Sequence, residues 1–151
     1  MCAGQAVDVV VYHEPGTMDS IDVMSGRYEG TGRWFQADGK TMAYHVVQVN
    51  RATAVGFEIE FDHAFDDGSQ TRAALAMTWT APRLFRVDVA GKLVGNGYFL
   101  GESCHYHIAA GDAFVEVGYR ANSNGLEVTG SSTKNADGLY IAWQETLRRV
   151  E

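Results

Sequence analysis

A chain of 151 residues, 46% hydrophobic and 21% charged, has the make-up of one globular domain with a single core. Its formal net charge is −7 and its longest cationic run is the Arg148-Arg149 pair, so it lacks the basic stripe that nucleic acid or an anionic membrane surface requires. No stretch reaches the roughly 18 apolar residues of a membrane-crossing helix, no charged n-region and apolar h-region mark a signal peptide, and Cys2 and Cys104 are too few for a disulfide framework.

The expected compartment is the cytoplasm, with a terminal thiol at Cys2 and a half-buried one at Cys104. The alternative is a lipoprotein freed of its signal ahead of Cys2-Ala3-Gly4.

The chain opens with Val7 to Tyr12, a short β-branched run that Glu14-Pro15-Gly16 breaks. This run is a candidate to pair with the edge of a second copy in a homodimer. Asp19 to Ser25 reads as a helical turn, with Asp19 or Ser20 as N-cap, Ile21 and Met24 inward, and Gly26 as its stop. Residues 1–25 thus form an N-terminal strand and short helix, and 26–151 a β-barrel, within one domain overall.

From residue 27 onward, strand-like runs alternate with turn signals: Asp38-Gly39, Asp67-Gly68, Ala90-Gly91, Ala110-Gly111, Asn124-Gly125 and Asp137-Gly138. The strands read as 27–36, 41–50, 54–63, 70–80, 84–90, 92–100, 103–110, 113–121, 125–133 and 138–148. Alternation with period two assigns an inner face. Val55, Phe57, Ile59 and Phe61 share it, opposite Glu58, Glu60 and Asp62. Leu75, Met77 and Trp79 share the next, then Phe85 and Val87, then Val115, Val117 and Tyr119, and finally Leu139, Ile141, Trp143 and Leu147 with Glu145. Consecutive short connections predict an all-β, up-and-down antiparallel barrel of about ten strands. Gly95-Asn96-Gly97 lies inside a strand run with no helix after it, and reads as a bulge rather than a phosphate loop.

Gly26-Arg27-Tyr28-Glu29-Gly30-Thr31-Gly32 resembles the G-x-W-x-G-x-G opening of calycin-type barrels, lipocalins and nitrobindin-like haem proteins among them, with Tyr28 where Trp is usual. On its inner face stand Tyr28, Gly30, Gly32 and Trp34, so the two glycines allow either a sharp bend or room for a ligand. The lipocalin resemblance further implies that a cation near the end of the last strand, Arg148 or Arg149, packs over Tyr28 or Trp34. The nitrobindin resemblance implies haem held by a histidine near the end of the barrel. The last strand carries no histidine, which leaves His63, His105 or His107 as substitutes.

Of these, His63 has inward parity. His105 and His107 share the face opposite Cys104, Tyr106 and Ile108 and are expected to point outward, as surface or packing residues and not as metal ligands. Glu145 has inward parity too, where a carboxylate is costly unless paired or protonated. It is expected to meet an arginine or the barrel mouth. The chain has no Walker A loop, H-E-x-x-H, C-x-x-C or G-x-S-x-G.

The leading expectation is non-catalytic binding of a small hydrophobic or amphipathic molecule, without cofactor, inside the barrel. Its lining is expected from Tyr28, Trp34, Tyr44, Phe57, Phe61, His63, Trp79, Tyr106, Tyr119, Trp143 and Glu145. The alternatives are a barrel isomerase, cyclase or lyase with Glu145, His63 and a tyrosine as its acid/base set, and a haem-binding barrel.

Overall fold

The computed structural model describes residues 21–150 except residue 23. The Val7–Tyr12 run, the N-cap at Asp19 or Ser20, and Cys2 lie outside them. Ten strands follow a helical segment at Ile21, Asp22 and Met24: β1 (Gly26–Gln36), β2 (Thr41–Ala52), β3 (Gly56–Phe65), β4 (Gln70–Ala81), β5 (Leu84–Val89), β6 (Lys92–Leu100), β7 (Ser103–Ala110), β8 (Ala113–Ala121), β9 (Gly125–Ser132) and β10 (Ile141–Arg149). Each strand pairs antiparallel with its sequence neighbours, and β10 closes on β1 from Tyr28↔Arg149 to Gln36↔Ile141. The fold is a closed, up-and-down antiparallel barrel. Among the described residues no helix is long and apolar enough to cross a membrane.

Alternation builds the core as the hydrophobic pattern requires. Phe57, Ile59, Leu75, Met77, Phe85, Val87, Val117 and Tyr119 are all buried. Val55 is the exception. It is 61% exposed because β3 begins one residue later and Val55 belongs to the preceding turn. The last strand also starts later than its apolar parity implies, at Ile141. The Asn135 side chain accepts hydrogen bonds from the backbone N–H groups of Asp137 and Leu139 and donates to Gln36 Oε1 at 2.7 Å. These bonds draw residues 133–140 into a loop, so Leu139 lies outside the strand and Asp137-Gly138 is not a tight hairpin.

The two ends of the barrel differ. At the end carrying the β2–β3, β4–β5, β6–β7 and β8–β9 turns, Phe57, Trp79, Phe85 and Phe99 pack ring against ring, with centroids 5.1–5.9 Å apart. The helical turn plugs this end with buried Ile21 and Met24, as their spacing predicts. Tyr28 is fully buried there, donates its hydroxyl to Met24 O at 3.0 Å, and lies under Arg149, whose guanidinium carbon is 5.0 Å from the ring centre. Arg149 also donates to Ser25 O. The cationic clasp is therefore Arg149 on Tyr28, not Arg148 and not Trp34.

The bulge expected in Gly95-Asn96-Gly97 lies just before that segment, whose three residues pair in regular register with β5. The β5–β6 register shifts between Val87↔Gly95 and Asp88↔Leu93, leaving Val94 as the extra residue. At Gly30 an added Cβ would fall 2.0 Å from Thr146 O, so the close β10 backbone leaves no room for a side chain there.

Candidate functional site

The opposite end carries the β3–β4, β5–β6 and β7–β8 turns and the long β9–β10 loop, and here the core is incomplete. A cavity of about 260 Å³ lies among the inner faces of β2 to β5 and β7 to β10. Leu75, Val89, Ile108, Val115, Val117 and Val128 supply its apolar walls. Of the residues expected from sequence, Phe61, His63, Tyr106, Tyr119, Trp143 and Glu145 line it. Tyr44 reaches it only through Glu145. The structure does not bring Tyr28, Phe57 or Trp79 there, because they complete the filled end, and half-buried Trp34 packs on the core without lining the cavity.

Glu145 is the chemical centre of this space. It is 3% exposed. Instead of an arginine it meets Tyr44, whose hydroxyl donates to Oε2 at 2.8 Å, and His63, whose Nε2 is 3.5 Å from the same oxygen. Register explains the convergence. Gly32 on β1 is flanked by its Cα partners Tyr44 on β2 and Glu145 on β10. An added Cβ at Gly32 would fall 2.4 Å from the Tyr44 ring, so the ring lies in the space the glycine vacates and spans β1 to reach the carboxyl. Gly130 and Trp143 repeat the device, with the indole 2.3 Å from the missing Cβ. The room left by Gly32 is thus filled by the protein's own aromatic ring.

Burial sets the protonation of the pair. Loss of water pushes the Glu145 carboxyl up to about 7 against the pull of the Tyr44 hydroxyl. The same desolvation pushes His63 down to about 4, against the opposing field of Asp62. The His63 ring is held between Phe61, at 4.5 Å between centroids, and Tyr44, at 4.7 Å. Tyr44 itself is pushed up by burial and by the Glu145 charge. Near neutral pH the cavity therefore holds a neutral imidazole, neutral phenols and a carboxyl close to half-ionised.

Sequence reasoning passed over Gln48. It is 1% exposed, lines the cavity and shares the parity of Tyr44 and Val46, so alternation along β2 carried the signal. Its amide donates to Asn50 Oδ1 at 2.9 Å, and Asn50 donates to Met24 O at 3.0 Å, which links the cavity floor to the helical plug. Tyr106 and Tyr119 place their hydroxyls 3.4 Å apart on the other wall.

His105 and His107 point outward as their parity predicts, stacked on Tyr98 at 5.1 Å and Phe114 at 5.5 Å. Among the described residues no three histidine, cysteine or acidic side chains gather as a metal site. Cys104 is fully buried, not half-buried, because Tyr119 opposite it on β8 is also inside, and burial pushes its thiol well above the usual range.

No protein-family profile and no curated protein matches this chain. Among solved structures it is similar to an S-type phycobiliprotein lyase, CPES, from Guillardia theta, with a TM-score of 0.72, 10% identity and coverage of 89% of this chain and 92% of that one. It is also similar to Rv2717c from M. tuberculosis, with a TM-score of 0.66, 13% identity and coverage of 93% and 100%. At such low identity the similarity is one of fold alone, which in this chain is a closed ten-stranded barrel.

Proposed function

We propose that the barrel binds one small, mostly apolar molecule, about one or two fused rings in size, in the cavity beside Glu145. The observation that carries this reading is the asymmetry of the core. One end is closed by four interlocked aromatic rings, whereas the other keeps about 260 Å³ walled by aliphatic and aromatic side chains around a buried carboxyl. That volume is just below the roughly 300–1,000 Å³ of most ligand pockets. It is far too small for a tetrapyrrole, and the one histidine that lines it among the described residues, His63, turns Nε2 onto Glu145. These residues do not fit haem. A similar barrel in a lyase accords with small-molecule chemistry in such a fold, and within the calycin group the reading is closer to a lipocalin-type carrier than to a haem protein.

The test is a titration with β-naphthol, followed by methyl NMR and calorimetry. Saturable one-site binding, with shifts concentrated at Val89, Ile108, Val115 and Val117, supports the reading. Shifts at outward residues such as Leu93, or no saturation, overturn it.

A second reading, proton transfer on a bound hydrophobic substrate, is favoured by one observation: Tyr44, His63 and Glu145 meet within 3.5 Å in the cavity wall. Its readout is exchange of the α-hydrogens of β-tetralone into D2O. Acceleration over buffer that disappears in Glu145→Gln supports it, and exchange at the buffer rate sinks it.

A further inference from the structure

Glu145 uses only one of its two carboxyl oxygens. Tyr44 and His63 both approach Oε2, and among the described residues none donates a hydrogen bond to Oε1. A carboxyl 97% removed from solvent ordinarily has its lone pairs satisfied, because an unmet acceptor in an apolar space costs free energy. Among the described residues no Lys or Arg lines the cavity to answer this group.

Resting on the binding reading above, we propose that the cavity takes a small lipophilic amine in its ammonium form, its N–H groups donating to Glu145 and its hydrocarbon part lying along Val89, Ile108 and Val115. The faces of Phe61 and Trp143, both in the cavity wall, suit a cation by their ring quadrupoles. Ligand acids are excluded by the same inventory, since a second carboxylate would face Glu145 with no cation to offset the repulsion.

The titratable groups facing Glu145 are Tyr44 from β2, His63 from β3, Tyr106 from β7 and Tyr119 from β8. Gly32 from β1 and Val128 from β9, its partners in the ladder, carry no charge. All four facing groups stay neutral through the neutral range, with the three phenols pushed up by burial and His63 pushed down. The charge that changes near neutrality in this cavity is therefore that of Glu145.

The experiment compares three probes of one shape, phenethylamine, phenethyl alcohol and hydrocinnamate, by calorimetry on the intact protein at about pH 8 and about pH 5.5. At the higher pH the amine is expected to bind at least about tenfold more tightly than the alcohol, with hydrocinnamate weakest of the three, as a charge-assisted hydrogen bond exceeds a neutral one. At the lower pH the amine is expected to weaken by about tenfold or more, in proportion to the lost carboxylate fraction, while the alcohol changes little. In Glu145→Gln the amine is expected to lose its advantage and to bind no more tightly than the alcohol. Equal binding of amine and alcohol by the natural protein overturns the amine assignment and leaves the cavity reading standing. Absence of binding by all three overturns both.

Discussion

Burial acts on Glu145 and His63 in opposite directions along the pH axis. The folded Glu145 carboxyl, at about 7, lies above its ordinary 4.5, so the folded state holds a proton that the unfolded chain has already lost. Its contribution is fully present below about pH 4.5 and is lost as pH rises through about 7. His63, at about 4 against an ordinary 6.5, behaves in reverse: its contribution is present above about pH 6.5 and is lost as pH falls through about 4. Each effect is on the order of 3–4 kcal/mol, and between about pH 4.5 and 6.5 they cancel, so the pair alone gives a flat stability profile there. Single variants should uncover the two slopes. Urea unfolding of Glu145→Gln is expected to show stability rising with pH from about 4 to 6.5, and His63→Phe to show it falling with pH from about 4.5 to 7. Parallel profiles for the two variants would contradict the opposed shifts.

Neighbouring strands decide what one strand's parity means. The inner face of β1 was legible from Gly-x-Gly, and so was the choice between a bend and open room. The two glycines differ: at Gly30 the β10 backbone leaves no room for a side chain, while the space at Gly32 is taken by Tyr44. Sequence could not reveal the second outcome, because pairing of Gly32 with both Tyr44 and Glu145 depends on turn lengths and on closure across the whole barrel. Likewise the parity of Leu139 was right for a strand, yet a hydrogen bond from Asn135 to Gln36, distant in sequence, holds the segment in a loop. The register of β1 carries its own prediction. Gly32→Ala would set a methyl 2.4 Å from the Tyr44 ring and drive the ring off the carboxyl. Overpacking of this kind costs about 1–3 kcal/mol. Because Tyr44 lowers the Glu145 titration, its departure should also move that titration upward, readable in the carbon NMR signal of the carboxyl. A loss of stability with no change in that titration would show that Gly32 serves the fold and not the site.

At the scale of the whole molecule, alternation and turn spacing sufficed to read the closed meander, since each inward residue meets the same core whatever strand stands beside it. They did not tell which end is filled. Phe57 and Phe61 have the same parity on β3, but Phe57 is locked into the aromatic cluster and Phe61 borders the cavity. The difference lies in depth along the barrel axis, which parity does not encode. If the open end is kept for a ligand, stability has been forgone there, and filling it should recover some. Val117 is 8% exposed and its side chain lines the cavity. Val117→Phe adds ring volume where room exists, so unlike most enlargements in a packed core it should hold or raise stability by about 1 kcal/mol. β-Naphthol binding should fall sharply in the same variant. Thermal unfolding and titration of one sample measure both quantities. A destabilised variant that still binds β-naphthol would mean that the space at Val117 is already filled and that the ligand lies elsewhere.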